Sequence, residues 1–526
     1  MKNGSRKPRR HPDISRRGFI GGVAAGAASA VALRPGAVFA EPGTAATSPR
    51  FFGRIFNLPP FAQATDRVRA ALREMGRPGG LLDARDPLSE GPVRLITNPE
   101  LSPNNRDNPF QTAGTTFFGQ FVDHDFTFDL TSPLGVPTEP TTAPNTRMPT
   151  LALDSVYGGG PGATPEFYDP NDRAKFRVES GGLFEDLPRR ADQVAIIADP
   201  RNDENLMIAG LHAAFLLFHN RVVDRLRSQG VPANQVFNEA RRLVTWHYQW
   251  IIVHEFLPQI ITFGITQDIL THGRRHFRPA PGQHFMPVEF QGACYRMGHS
   301  MVRPSYRANL RGDPGGSPAT GAPAFFGFIF DPAGQGQSDP VDLRGGARAA
   351  RRFIGWQTFF DFRDGQVRPN KRIDTKLSTA LFNLPLGAIP SGDPPTSLAQ
   401  RNLLRHLTWS LPSGQAIAAA MGIPVLGADV FPELRQFGIG LEASTPLWYY
   451  TLKEAEFLGD GISLAGATAR LVGEVFIGLL ELDPTSYLAV DRSWRPTLPR
   501  RSGATGDFAM VDLLTFARVD PTSRGQ

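Results

Sequence analysis

Apolar positions recur at helical spacing from Asn205 through "LMIAGLHAAFLLFHNRVVDRLRSQG", and the run stops at a glycine. That spacing predicts one long helix with a glycine stop. A second helix is predicted over "NQVFNEARRLVTWHYQWIIVHEFLPQII", with Pro258 near its end. "TDRVRAALREM" reads as a shorter helix, and 288–303, 397–421 and 464–481 are further helical candidates. Residues 41–115, 131–195 and 308–346 are rich in turn-forming residues, strand signals are few and short, and no internal repeat is visible. The pattern predicts a mainly α chain: one large domain with long loops, wrapped around something.

One stretch fits neither period. "FFGQFVDHDFTFD", Phe117 to Asp129, places two aspartates around a histidine inside an aromatic run. As a strand, it would set Asp123, Asp125 and Asp129 on one face and His124 on the other. As a helix, it would set Gln120, Asp123 and His124 on one face and turn Asp125 about 100° away. Burying such carboxylates without partners costs several kcal/mol, so either reading requires something that holds them.

Composition changes the picture mainly at the N-terminus. The 526-residue chain has a pI of about 9.6 and a net charge of +6. Eight Lys and Arg residues lie in the first 40 positions against Asp13 alone, so the remainder carries −1. The body therefore offers no case for nucleic-acid binding. "SRRGFI", a small-residue apolar stretch and "VFA" ending at Ala40 resemble a twin-arginine export signal. They predict an exported, periplasmic or extracellular protein after cleavage near Ala40. The apolar stretch of the leader is too short to span a bilayer, and no later stretch is expected to do so. One cysteine, Cys294, excludes intrachain disulfides. Nothing in the pattern sets an oligomeric state.

Two further segments bear on the histidine. "DPRNDENLMIAGLHAAFLLFHNR" carries Arg201, Glu204, His212 and His219, and "GACYRMGHSMVR" sets Arg296 three residues before His299. Together with "GQFVDHD" and "DTKLSTALFNLP", in this order from about residue 110 to 415, these segments resemble the animal haem peroxidase family of the peroxidase–cyclooxygenase superfamily.

The resemblance implies a helical haem peroxidase fold over 41–526 and a haem b cofactor. His299 would be the axial ligand to iron, Asn383 its hydrogen-bonding partner, and Arg296 an anchor on that side. His124 would be the acid–base residue toward hydrogen peroxide, and Arg201 would stabilise charge on the leaving oxygen. Gln120 would hold water or a halide. A ferryl, ring-radical intermediate would then oxidise a small organic or halide donor. Asp123 and Glu204 match positions that form ester links to haem, and Asn205 stands where a methionine would make a third link. The resemblance also implies a degenerate calcium site of Asp125, Thr150 and Asp154, with Met148 and Ala152 in place of two ligands. The alternative is a lost site, in which hydrogen bonds satisfy Asp125.

His212, His219, His247 and His254 are expected to pack and hydrogen-bond. A di-iron bundle would need Glu-x-x-His motifs, and the sequence has none. Two rival functions remain. A cyclooxygenase-like fatty-acid dioxygenase would carry a tyrosine three residues before the axial histidine, where Arg296 stands; Tyr295 is one residue further off. A non-catalytic haem-binding or adhesion module would have no use for Arg201.

Overall fold

Asn205 begins the long helix predicted after it: its side chain accepts the Ile208 amide, and the helix runs Leu206–Ser228. Gly230, at φ 78°, carries the chain past the end in a conformation that glycine adopts without strain. The computed structural model describes residues 51–526 apart from 281, 284, 312–323 and 332–338. The export leader and Ala40 lie outside the described residues.

The second predicted helix, Val236–Ile251, packs against the first. It continues through a π turn, Ile252–Phe256, into Leu257–Ile261. Pro258 has no amide to donate, and the widened turn lies just before it. Helices also form at Asp66–Met75 and Gly466–Leu482, as predicted. Two candidates are broken instead. Residues 288–303 form three short turns, Val288–Gly292, Cys294–Met297 and Gly298–Met301. Residues 397–421 split into Leu398–Thr408 and Gly414–Ala420, with Ser410 at φ 47° and Pro412 between them. The strands described form four two-stranded sheets.

The ambiguous run is helical, Ala113–Phe126. Phe117, Phe118, Phe121 and Val122 are all buried, so apolar residues occupy nearly every face and no single period shows. Phe121 stacks on Phe215 of the long helix with ring centroids 4.7 Å apart, which fixes the two helices against each other. Gly114 allows a close crossing, since a Cβ there would sit 2.6 Å from the Phe360 ring.

Contrary to the expectation from hydropathy, Leu206–Ser228 is long and apolar enough to cross a membrane. It serves as a core helix, with 78% of its apolar window buried.

The long helices also bury histidines that are satisfied by hydrogen bonds. His219 Nε2–H donates to the Ala174 carbonyl and its Nδ1 accepts from Tyr157. His247 donates to the Leu243 carbonyl and accepts from the Leu498 amide. Burial pushes His212 and His247 down to about 3, and His219 and His406 to about 4. The unfolded chain binds protons at these sites from about pH 6.5 downward, and the folded chain does not. Stability is therefore expected to fall as pH drops from about 6.5 to about 4, by roughly 1.4 kcal/mol per pH unit for each histidine. Seven carboxyls raised by burial, Asp125 and Glu204 among them, act in the opposite sense against eight histidines lowered by burial. Urea midpoints measured across this window test the sign, and midpoints that rise on acidification would contradict it.

Candidate functional site

The helix Ala113–Phe126 presents Gln120, Asp123 and His124 to one internal cavity of about 430 Å³. Arg201, Glu204, Arg296 and His299 line the same cavity. Seven of the sequence-predicted site residues thus converge, from segments separated by up to 179 positions between Gln120 and His299.

On one wall, a short turn, Pro200–Asp203, begins at Asp199, whose carboxylate accepts the Arg201 amide. The Arg201 guanidinium grips the same carboxylate, Nε to Oδ1 at 3.1 Å and Nη2 to Oδ2 at 2.8 Å. Arg147 adds a second cation, with Nε 2.8 Å from Asp199 Oδ2. Burial alone would raise the Asp199 pKa, but these two arginines hold it well below the usual carboxylate range. Arg201 also lies over the Phe128 ring, 3.9 Å from its centroid, and donates to the His124 carbonyl at 3.2 Å. Its position is fixed on three sides.

His124 Nδ1 lies 2.9 Å from Asn202 Oδ1, so Nδ1–H donates and Nε2 keeps its lone pair. The Asn202 amide nitrogen donates in turn to His212 Nδ1 at 2.9 Å. Burial, and then the charge of Arg201, push the His124 pKa down to about 3, so the ring is neutral near pH 7. A neutral imidazole with one free nitrogen, beside a fixed guanidinium, can accept a proton and stabilise a developing anion.

Two carboxyls line the cavity. Burial raises Glu204 to about 7, against the charge of Arg201 and a hydrogen bond from Gln120 Nε2. Asn205 Nδ2 donates to Gln120 Oε1 at 3.3 Å and holds that amide in place. Asp123 is likewise raised by burial, although Arg201 and Arg296 oppose this. The Asp123 side chain is 35% exposed, and it lines the cavity.

On the other wall, the Asn402 amide lies 2.7 Å from His299 Nδ1. This corrects the sequence expectation: Asn383 is exposed and takes no part in the site. Asn402 sits on the helix Leu398–Thr408, which packs on the Val288–Gly292 turn and so comes close to His299. Asn402 Nδ2 faces His299 Nδ1 while its Oδ1 accepts from Arg296 Nη1 at 3.4 Å, so Nδ1 is the acceptor in this arrangement. A rotated amide would accept Nδ1–H and leave Nε2 for a ligand. Burial, and then Arg296, push the His299 pKa down to about 3. Arg296 is anchored through Nε to the Gln291 carbonyl at 2.8 Å.

Arg401 and Arg405 also line the cavity. Burial, and then Arg405, lower Arg296 to about 10, so the like charges are felt. Arg405 binds Asp129 at 2.7 Å, while its Nε is buried without a partner. A cavity of this size falls in the range of cofactor pockets. An imidazole on each wall, cationic groups for acidic substituents and two carboxyls facing the cavity fit the haem that the resemblance implies.

The calcium residues do not fit as well. Asp125 is buried away from the cavity and accepts from the Leu153 amide at 2.9 Å, the Ser155 amide at 3.3 Å and Ser155 Oγ at 3.2 Å. Those are the hydrogen bonds that the alternative to a calcium site requires. Burial, and then the charge of Asp154, raise Asp125 to about 8. Asp154 accepts the Met148 amide at 3.2 Å, and the Thr150 amide donates to the Met148 carbonyl at 2.7 Å. Among the described residues, no group of three or more His, Cys, Asp or Glu is arranged to hold a metal ion.

Sequence reasoning missed Asn402, Asn202, Asp199 and Arg405. Nothing local marks Asn402 in "AQRNLLR", because only the packing of its helix brings it to His299. Asp199 carried a weak signal, as an acidic residue just before Pro200 at the start of a turn.

Replacing Asn402 by alanine is expected to weaken haem retention by about 10- to 100-fold, whereas Asn383→Ala should leave it unchanged. Haem titration followed at the Soret band separates the two. Equal affinities in both variants would remove Asn402 from its role.

The family described as animal haem peroxidase matches residues 168–319, which include Arg201, Glu204, Arg296 and His299. A dual oxidase of Drosophila melanogaster is 27% identical over 135 residues, 24% of this chain and 8% of that protein. The chain thus aligns with less than a tenth of that relative's length. Peroxidase A of Dictyostelium discoideum shares the fold with TM-score 0.60 at 15% identity, covering 88% of this chain and 95% of the other. A fatty acid alpha-dioxygenase of Oryza sativa does so with TM-score 0.54 at 15% identity, covering 83% of this chain and 76% of the other. The likeness to these two solved structures is one of helical fold, and the family match over residues 168–319 does not reach the 113–126 helix.

Proposed function

Taking as premise a chain whose residues 168–319 match the animal haem peroxidase family, we propose that it is a haem-dependent peroxidase using hydrogen peroxide to oxidise a small reducing donor. The observation that carries this reading is the convergence of His124, Arg201 and His299 on one cavity, with His124 tied through Nδ1.

His299 Nε2 would hold the iron once the Asn402 amide rotates so that Oδ1 accepts Nδ1–H and fixes the tautomer. Arg296, Arg401 and Arg405 would face the acidic substituents. Haem, when bound, supplies the electrons that cleave the peroxide O–O bond. The remaining work falls to side chains. His124 Nε2 takes the proton from one peroxide oxygen and returns it to the other, which leaves as water. Arg201 meets the negative charge that develops on that leaving oxygen, and because Asp199 already orients it, little reorganisation is needed. Gln120, braced by Glu204 and Asn205, orients water or donor beside His124.

Glu204 at about 7 is half neutral near physiological pH, and an ester at Glu204 or Asp123 would remove the cost of a buried charge. Tyr295 does not favour a dioxygenase: its hydroxyl donates to the Gly119 carbonyl at 2.9 Å and its ring stacks on Phe290. The proposal includes export, with the leader removed near Ala40.

A peroxide-dependent dye stain of the haem-loaded protein on a native gel tests the reading. Dye oxidised at the haem band supports it. A band that holds haem but leaves the dye colourless makes the protein a haem-binding module instead.

A further inference from the structure

A second cavity, of about 980 Å³, adjoins the first and shares Phe128, Leu130, Arg201, Glu204, Ala388 and Ile389 with it. Two loops complete its wall, one through Val194 and Ala195 and one through 387–390. Its neutral wall is largely apolar, and Leu130 and Val194 stand 55% and 47% exposed.

The charges lining it are each held by an opposite charge or a hydrogen bond within the protein. Asp192 pairs with Arg190 at 2.9 Å, and Asp203 with Arg189 at 2.5 Å. Arg348 pairs with Glu179 at 2.9 Å and Asp186 at 3.1 Å. Arg201 holds Asp199 through Nε and Nη2 while its Nη1 lies 3.9 Å from Asp123 of the first cavity, and Glu204 accepts from Gln120. A small anion entering here would lose hydration and find guanidiniums already engaged, whereas an apolar molecule would cover Leu130, Val194 and Ile389. The volume suits an organic molecule far larger than a halide.

Resting on the peroxidase reading, we propose that this vestibule is the donor-binding site and that it selects uncharged, apolar organic donors, such as alkyl-substituted phenols, over small anions. The donor would give up one electron and its hydroxyl proton per event, so two donor molecules leave as phenoxyl radicals for each peroxide reduced to two waters. Leu130, Val194 and Ile389 would set specificity by contact with the donor's apolar body.

The test uses the haem-loaded full chain, with para-tert-butylphenol and bromide as probes. Calorimetry without peroxide reads phenol binding in wild type, Leu130→Asp and Val194→Asp, both at exposed positions where a polar side chain leaves folding intact. The phenol Kd is expected to rise by about tenfold or more in each variant, because a charge replaces an apolar contact. With peroxide, the KM of Val194→Asp for the phenol should rise with kcat held, and bromide turnover in that variant, whose residue lies outside the first cavity, should not change. Equal phenol affinity in wild type and variants would overturn the proposal. So would phenol and bromide turnover falling in parallel. Because the calorimetric arm needs no turnover, a protein that binds the phenol but never reacts with peroxide would refute the peroxidase reading and leave the binding site standing.

Discussion

The haem-loaded His124→Ala protein is expected to react with hydrogen peroxide about 10²- to 10⁴-fold more slowly than wild type, with haem affinity unchanged. The reason lies in the tautomer. Asn202 takes Nδ1–H, so Nε2 is the nitrogen left to move the proton between the peroxide oxygens. A ring pushed down to about 3 stays neutral through the physiological range, so the rate in wild type should show no loss from imidazole protonation between about pH 5 and 8. Stopped-flow measurement of the bimolecular rate against pH reads both features. A rate unaffected by the substitution would remove His124 from the chemistry.

Arg201→Lys should cost about 10²- to 10³-fold in the same rate, although the charge is kept. Lysine lacks the fork that grips both oxygens of Asp199, and it lacks the flat face that lies on Phe128. Its ammonium would be a mobile point charge where the developing anion needs a fixed one. Arg147 would still pair with Asp199, so the turn should remain folded. Circular dichroism checks folding, and the rate checks function. A lysine variant as fast as wild type would show that charge alone suffices and that the fork has no part in the reaction.

The fold was legible where one face of a helix is wet and obscure where none is. Leu206–Ser228 and Val236–Ile251 announced themselves through periodicity and caps. Ala113–Phe126 did not, because burial on nearly every side erases the pattern that distinguishes a helix from a strand. The helices over 288–303 and 397–421 were overpredicted, since apolar composition persists across the break at Ala293, where φ is −141° and ψ −74°, and across the turn that Pro412 and the positive φ of Ser410 impose. Within the site, residues in short motifs could be named, and they do meet in one cavity. Their supports could not. Asn402 rather than Asn383 reaches His299 because tertiary packing, not sequence order, delivers the amide. Asn202 and Asp199 act through hydrogen bonds whose geometry exists only after the turn at Pro200–Asp203 has closed.

The most direct test is an ultraviolet–visible spectrum of the haem-loaded protein before and after one equivalent of hydrogen peroxide, beside the His299→Ala variant. The account predicts a Soret band in wild type that shifts within seconds of adding peroxide and returns when a phenol is added, and a variant that does neither. A wild-type band that peroxide leaves unchanged would contradict it.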